Sequence, residues 1–203
     1  MKRVLITGAT GLVGQDIVKQ CHANGIAVNY LSTSKHKLKN EPNYKDFYWN
    51  PETNEIDTAC FENVEVIINL AGASIAKRWT KSYKKEILES RLLSLNLLYN
   101  TIQEHNIPIK QLVSASAIGI YPDSETNYYE ETFNDFGSGF LAEVSTQWEA
   151  VALQFKQLNI SVSLVRIGIV LAKDGGALPK LVAPIKNFVG AALGNGTQWQ
   201  SWI

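Results

Sequence analysis

The chain is poor in cysteine, with two in 203 residues, and has one methionine, six prolines and no surplus of either charge, since 19 Lys and Arg balance 19 Asp and Glu. Each shortage excludes something. Cys21 and Cys60 are too few and too scattered for a disulfide framework or a thiolate zinc site, and read as plain buried or half-buried thiols. Balanced charge gives no overall field to draw the protein to nucleic acid or to an acidic membrane surface, and a small neutral-to-anionic ligand fits better. His22, His36 and His105 are scattered, which argues against a metal centre. Glu125, Glu130, Glu131 and Asp135 form an acidic loop cluster that reads as a solvated face. After Lys2-Arg3 only a strand's worth of apolar residues precedes Thr7, too short for a signal-peptide core, and no apolar run is long enough for a bilayer. A cytoplasmic protein is expected. Neither G-x-x-x-x-G-K-[ST] nor G-x-S-x-G occurs, so phosphoryl transfer on a P-loop and a nucleophile elbow are both disfavoured.

What the chain does have is glycine in a telling place. Gly8-Ala9-Thr10-Gly11-Leu12-Val13-Gly14 follows the apolar Val4-Leu5-Ile6 and opens an amphipathic helix that runs through Asn24 and is stopped by Gly25. Ala27 to Leu31 then resumes a strand. A chain that turns sharply out of a strand, sets its amides against a pyrophosphate and starts a helix close to that strand needs residues without side chains at such points. The helix N-terminus adds favourable electrostatics for the anion. The unit is therefore a βαβ dinucleotide grip built on Gly8, Thr10, Gly11, Leu12, Val13 and Gly14.

Strand-like and helix-like segments alternate through most of the chain, the pattern of a parallel sheet covered on both faces, so the expected class is α/β. A polar stretch from Ser32 to Lys45 precedes a short strand around Phe47-Tyr48-Trp49. Val64 to Leu70 is the next strand, and it ends in the small residues Ala71-Gly72, where a cleft wall needs room. Tyr83, Ile87, Leu88, Leu92, Leu95, Leu98 and Ile102 recur at helical spacing between Lys81 and His105. Leu112-Val113 begins a short strand that runs into Ser114-Ala115-Ser116. Phe140, Val144, Trp148, Val151, Phe155 and Leu158 mark a second long helix, and Ile160 to Leu171 another strand. After Lys173 the pattern turns Gly-rich, with apolar pieces from Leu181 to Phe188. The end, Gln198-Trp199-Gln200-Ser201-Trp202-Ile203, carries residues that want burial, so a truncated chain is expected.

Two places suggest chemistry. The segment after the second strand has no acid for ribose hydroxyls, whereas Ser32-Thr33-Ser34-Lys35-His36-Lys37 offers hydroxyls and cations for a 2'-phosphate, which favours NADP with NAD possible. Ser116 and Tyr121, at a strand end that should face the cofactor, are the polar groups able to bond a substrate carbonyl or hydroxyl. Equally open is a structural use: serines satisfying backbone groups in a turn, and Tyr121 as a core aromatic with a wet tip.

Taken together, the glycine run, Asn69-Leu70-Ala71-Gly72, Arg78-Trp79-Thr80, Ser90-Arg91, Ser116-Ala117-Ile118-Gly119, Trp148-Glu149, Arg166 to Leu171, Gly175-Gly176-Ala177-Leu178 and Gln198 to Ile203 resemble an atypical branch of the extended short-chain dehydrogenase/reductases, the sugar-nucleotide epimerase-like or YfcH-like proteins. The resemblance covers the whole chain in order. It implies a Rossmann-type doubly wound parallel sheet over 1–172, holding NADP or NAD, and the beginning of a small C-terminal substrate-binding region over 173–203. By position, Ser32 and Thr33 would lie at the adenosine ribose or its phosphate, and Leu70, Ala71 and Gly72 along the cofactor wall. Glu86 and Arg91 would reach towards the cofactor. The family often has Arg where this chain has Thr33.

Catalysis is where the chain departs from typical short-chain dehydrogenases, which use Tyr-x-x-x-Lys on one helix face. No tyrosine here has Lys four residues on. Phe140 and Val144 stand where the pair is expected. The implied activities are an NAD(P)-dependent oxidoreductase or epimerase acting on a small hydroxyl, carbonyl or nucleotide-sugar-type molecule, with Ser116 binding the oxygen and Tyr121 or Glu143 managing the proton, or else a cofactor-binding sensor or assembly protein with little catalysis. The partner expected is a small molecule, with no nucleic acid, metal or membrane; oligomeric state is not legible.

Overall fold

The computed structural model describes residues 2–34, 40–191 and 194–203. Two compact units make it up: residues 1–115 with 147–165, and residues 116–146 with 166–203.

In the first unit, β1 (Arg3–Thr7) feeds α1 (Leu12–Ala23), which returns to β2 (Ala27–Ser32). Gly11 is the residue before α1, and Asn24 closes the helix by donating its amide to the Gln20 and Cys21 carbonyls. Gly25 then takes a φ of +68°, the left-handed turn that lets the chain leave a helix without steric cost. After β3 (Asn40–Glu41) come β4 (Tyr44–Asn50), β5 (Glu55–Ile56) and β6 (Val64–Asn69). A long helix α2 (Lys81–His105) follows, capped by Thr80, whose hydroxyl accepts from the Tyr83 amide, and ended by left-handed Asn106. Then come β7 (Gln111–Ala117), α3 (Phe140–Gln154) with a tighter 3₁₀ turn over Phe155–Leu158, and β8 (Ser161–Ile167).

The strands form one sheet in the order β3-β4-β2-β1-β6-β7-β8, with β5 paired to β4. The pairings β4–β2, β2–β1, β1–β6 and β6–β7 are parallel. Strand order reverses between β1 and β6, the switch point of a doubly wound sheet. This is the doubly wound Rossmann arrangement expected of the sequence. Beneath α1 lies a cluster of Ile6, Ala9, Val18, Cys21, Val28 and Tyr30. Leu5, Ile67, Ile87, Leu95, Leu98 and Leu112 are also completely buried. No helix among the described residues is long and apolar enough to cross a membrane.

The second unit contains a 3₁₀ turn at Ile118–Ile120, the hairpin β9 (Leu171–Ala172) with β10 (Gly175–Gly176), and α4 (Leu178–Lys186). Residues 201–203 lie along Ile169–Leu171, with Ile169 N donating to Ser201 O at 2.8 Å and Ile203 N to Ile169 O at 3.0 Å.

Several boundaries differ from those read in the sequence. β4 starts at Tyr44, inside the stretch expected to be polar loop, because its backbone pairs with β2 from Val28 onwards. β7 does run into Ser114-Ala115-Ser116 as expected and ends one residue later, at Ala117, which leaves neither serine in a turn. The strand expected from Ile160 to Leu171 breaks after Ile167, since a side chain at Gly168 would meet the Ser201 carbonyl at 2.6 Å. α4 was hidden by Pro184 inside it, although Pro near its first turn suits a helix start. Trp199, Trp202 and Ile203 are all more than 60% exposed here.

Candidate functional site

At the carboxyl ends of β1, β2 and β6 the chain leaves three parallel strands side by side, with Thr7 in register with both Leu31 and Asn69. That is the crevice where ligands bind in open α/β sheets. Gly8 leaves β1 at φ +70°, and a Cβ on it would sit 3.0 Å from the Leu70 carbonyl oxygen. Gly14, one turn into α1, faces Gly8 so closely that a Cβ would lie 2.2 Å from the Gly8 oxygen. Both positions therefore reject any other residue, one by conformation and contact, the other by contact alone. Gly11 is less constrained by the protein, with the nearest obstacle to a Cβ at 3.2 Å. Its lack of a side chain leaves the α1 N-terminus uncapped by any side chain, and no acid stands in the first turn. The amides there and the helix dipole together suit a diphosphate.

Of the other grip residues, Thr10 is exposed, with its carbonyl accepting from Gln15 Nε2 at 2.8 Å. Leu12 is partly exposed and Val13 half-buried. Ser32 ends β2, where its hydroxyl accepts from the Ser34 amide at 3.1 Å, and Thr33 is exposed. Lys35, His36 and Lys37 lie outside the described residues.

A polar network under the crevice went unread in the sequence. The Thr7 hydroxyl donates to Asn69 Oδ1 and accepts from the amides of Leu70 (3.0 Å) and Ala71 (3.1 Å), which uses its one proton and both lone pairs. Asn69 Nδ2 in turn donates to Ser114 Oγ at 3.1 Å. Thr7, Asn69 and Ser114 are each 0% exposed. The ends of β1 and β6 are thus tied to each other and to the middle of β7, and the backbone of Leu70 and Ala71 is fixed opposite Gly8. The signal available was a polar residue closing each apolar strand run.

Arg91 supports the same wall. From α2 its Nη1 donates to the Ala73 carbonyl at 3.2 Å and the Ile87 carbonyl at 2.8 Å, while its guanidinium lies 4.9 Å from the Trp148 ring centroid. A Cβ on Gly72 would stand 2.9 Å from Arg91 Cζ, so Gly72 makes room for the cation. Burial pulls the Arg91 guanidinium below its ordinary range, opposed by the nearby Tyr83. Glu86, by contrast, is exposed on α2.

Ser116 and Tyr121 belong to the other unit. Ser116 is 2% exposed on β7. Tyr121 follows the 3₁₀ turn, half-buried, with its ring stacked on Tyr129 at 5.6 Å between centroids and 8° between planes. Its hydroxyl donates to the Glu130 carbonyl at 3.2 Å and accepts from Arg166 Nη1 at 2.8 Å. Phe140 and Val144, where the usual Tyr and Lys would be, both lie on α3, and Val144 is buried.

The model of the NAD dependent epimerase/dehydratase family matches residues 4–203. An epimerase family protein of Staphylococcus saprophyticus is 39% identical over the whole chain, which spans 67% of that relative. The crystal structure of the human epimerase family protein SDR39U1 with NADPH superposes on 99% of the chain with a TM-score of 0.76 and 27% identity. A nucleoside-diphosphate sugar epimerase from Corynebacterium glutamicum does so with a TM-score of 0.79 and 30% identity, again over 99% of the chain. The chain spans 65% and 40% of those two structures.

Proposed function

Because this chain belongs to the NAD dependent epimerase/dehydratase family, we propose that its first unit grips NADP(H) or NAD(H), with preference for NADP(H), for an epimerase or oxidoreductase acting on a hydroxyl or carbonyl carbon of a small or nucleotide-sugar-type molecule. The observation that carries this is the Gly8–Gly14 contact, a turn that excludes a side chain at both of those glycines and opens on an uncapped helix. Such a cradle fits a pyrophosphate held by backbone amides.

The residues that would hold the dinucleotide are Gly8, Thr10, Gly11, Leu12, Val13 and Gly14 at the phosphates, Ser32 and Thr33 at the adenosine ribose, and Leu70, Ala71 and Gly72 along the wall. Glu86 and Arg91 are assigned to the same site, Arg91 through its hold on the Ala73 carbonyl. The nicotinamide, when bound, supplies hydride transfer. The chain's own part is to bind, orient and move the proton. Ser116 takes a substrate oxygen and Tyr121 handles its proton. Support for NADP(H) comes from Ser32, Thr33 and Ser34, which put hydroxyls and no acid after β2, and from the NADPH in the human relative's structure.

Fluorescence titration of the folded, full-length protein with NADPH and NADH tests this. Saturable binding, tighter for NADPH, is expected, and Gly11→Asp should abolish it by setting a carboxylate against the pyrophosphate. Absence of saturable binding of either cofactor would overturn the proposal.

A further inference from the structure

The chain lacks a tyrosine with a lysine one helical turn away, yet it sets a different cation on a phenol. Arg166, at the end of β8 and 45 residues after Tyr121, donates Nη1–H to Tyr121 Oη at 2.8 Å. The same guanidinium lies 5.0 Å from the Tyr121 ring centroid and 5.3 Å from that of Phe136. Its Nη1 also reaches the Glu131 carbonyl at 3.3 Å. Tyr129 stacks on Tyr121, and Phe133 lies 6.3 Å away, so ring and oxygen are both held.

The direction of the hydrogen bond matters. Arginine has donors only, so the Tyr121 oxygen must accept from it and the phenol proton must point elsewhere. It points to the Glu130 carbonyl, at the longer distance of 3.2 Å and on the exposed side. A ligand oxygen can replace that weak acceptor without disturbing the cation. Once the proton leaves, the guanidinium's bond to that oxygen becomes an ion pair, which is stronger than its bond to the neutral phenol. A fixed guanidinium also loses less freedom in holding the oxygen than a lysine on a flexible stem.

We propose that Tyr121 and Arg166 form one proton-handling pair, in which Tyr121 is the catalytic residue that protonates a substrate oxygen and Arg166 is its positioning residue. The inference rests on the hydride-transfer function proposed above. In the reducing direction a bound reduced nicotinamide would supply hydride to the substrate carbon, and the carbonyl π pair would move to the oxygen as an alkoxide. The Tyr121 O–H bond then breaks, its electron pair stays on the phenol oxygen beside Arg166, and an O–H bond forms on the substrate. Water returns a proton to Tyr121. Oxidation runs the same steps backwards.

Acetylation of the full-length protein by N-acetylimidazole near neutral pH, followed by peptide mass spectrometry, tests the pair with no cofactor present. Tyr128, 84% exposed, serves as the internal reference. Arg166→Met should slow acetylation of Tyr121 relative to Tyr128 by about tenfold, the scale of a lost hydrogen bond to a charged group, and Arg166→Lys should restore most of the rate. A merely structural Arg166 predicts the opposite sign, because its removal uncovers the phenol. A rate that rises or stays level in Arg166→Met would overturn the pair. Arg166→Gln gives the same comparison if the Met variant fails to fold. Parallel NADPH titration separates the two ideas: cofactor binding should survive Tyr121→Phe and Arg166→Met. Wild-type protein that binds no cofactor would overturn the function, and with it the proton's destination, whatever the acetylation rates.

Discussion

Thr7 Oγ1 donates to Asn69 Oδ1 across 2.8 Å, between fully buried residues at the ends of neighbouring parallel strands. The bond orients a hydroxyl that also receives the Leu70 and Ala71 amides, so a single side chain sets the wall facing the glycine turn. Thr7→Val keeps the shape and removes all three bonds. It should cost about 2–3 kcal/mol, because buried polar groups are left without partners. Urea unfolding measures this, and Thr7→Ser should recover most of the loss. NADPH affinity should fall in parallel, since the wall loses its anchor.

Gly14 and Gly25 make a controlled pair. Gly14→Ala places a methyl group where the Gly8 oxygen is 2.2 Å away, whereas Gly25 has nothing within 4 Å of a Cβ and only its φ of +68° to protect. Gly25→Ala should cost about 1 kcal/mol of left-handed strain and leave dinucleotide affinity unchanged. Gly14→Ala should forfeit tenfold or more in affinity, on the order of the ~1.4 kcal/mol that factor represents, and lower the melting temperature as well. Equal behaviour of the two variants would remove the packing explanation of the grip.

Asp46 gives a pH dependence. Burial raises its carboxyl from 3.8 to about 6, opposed by hydrogen bonds from Tyr30 and the Phe47 amide. Tyr30, which hydrogen-bonds the carboxyl, stacks on Tyr44 at 4.5 Å. A folded-state value above the unfolded one means that the native state favours the protonated acid. The stability it contributes is complete below pH 3.8 and is lost as pH rises through about 6. Asp46→Asn should therefore stabilise the protein above pH 6 and gain nothing in acid; solvent screening limits the gain to about 1 kcal/mol. Thermal melts across this range check it.

Arg91 and Trp148 share a cation-over-ring contact at 4.9 Å. Arg91→Ala removes that contact and the donor to the Ala73 and Ile87 carbonyls, for an expected loss of about 2 kcal/mol. Arg91→Lys should recover little, since an ammonium lacks the planar face that lies over the Trp148 ring. Tryptophan emission should shift in both variants, and in a Trp148→Phe background Arg91→Ala should produce no shift.

The glycine turn, the strand before it and α1 were legible in the sequence because their causes are local: apolar runs, a positive φ and a helix stop lie within two dozen residues. α2 was read from Lys81 to His105 by period alone, and the structure has those same ends. Elsewhere distance along the chain hid the cause. β4 begins early because β2 offers it backbone partners, and β8 ends early because Gly168 packs on Ser201. Pattern reading cannot anticipate either contact.

For the candidate site the division is the same. By itself the sequence determined that a glycine-rich turn joins the first strand to the first helix, and that no Tyr-x-x-x-Lys pair follows it. Tertiary structure alone decided that Thr7, Asn69 and Ser114 meet across three strands, 62 and 45 residues apart. It also decided that Arg91 turns to peptide carbonyls and Trp148, and that Arg166 holds the Tyr121 oxygen. The physical reason is that a hydrogen bond between side chains acts over about 3 Å, and nothing in local periodicity encodes which remote strands will bring two such groups that close.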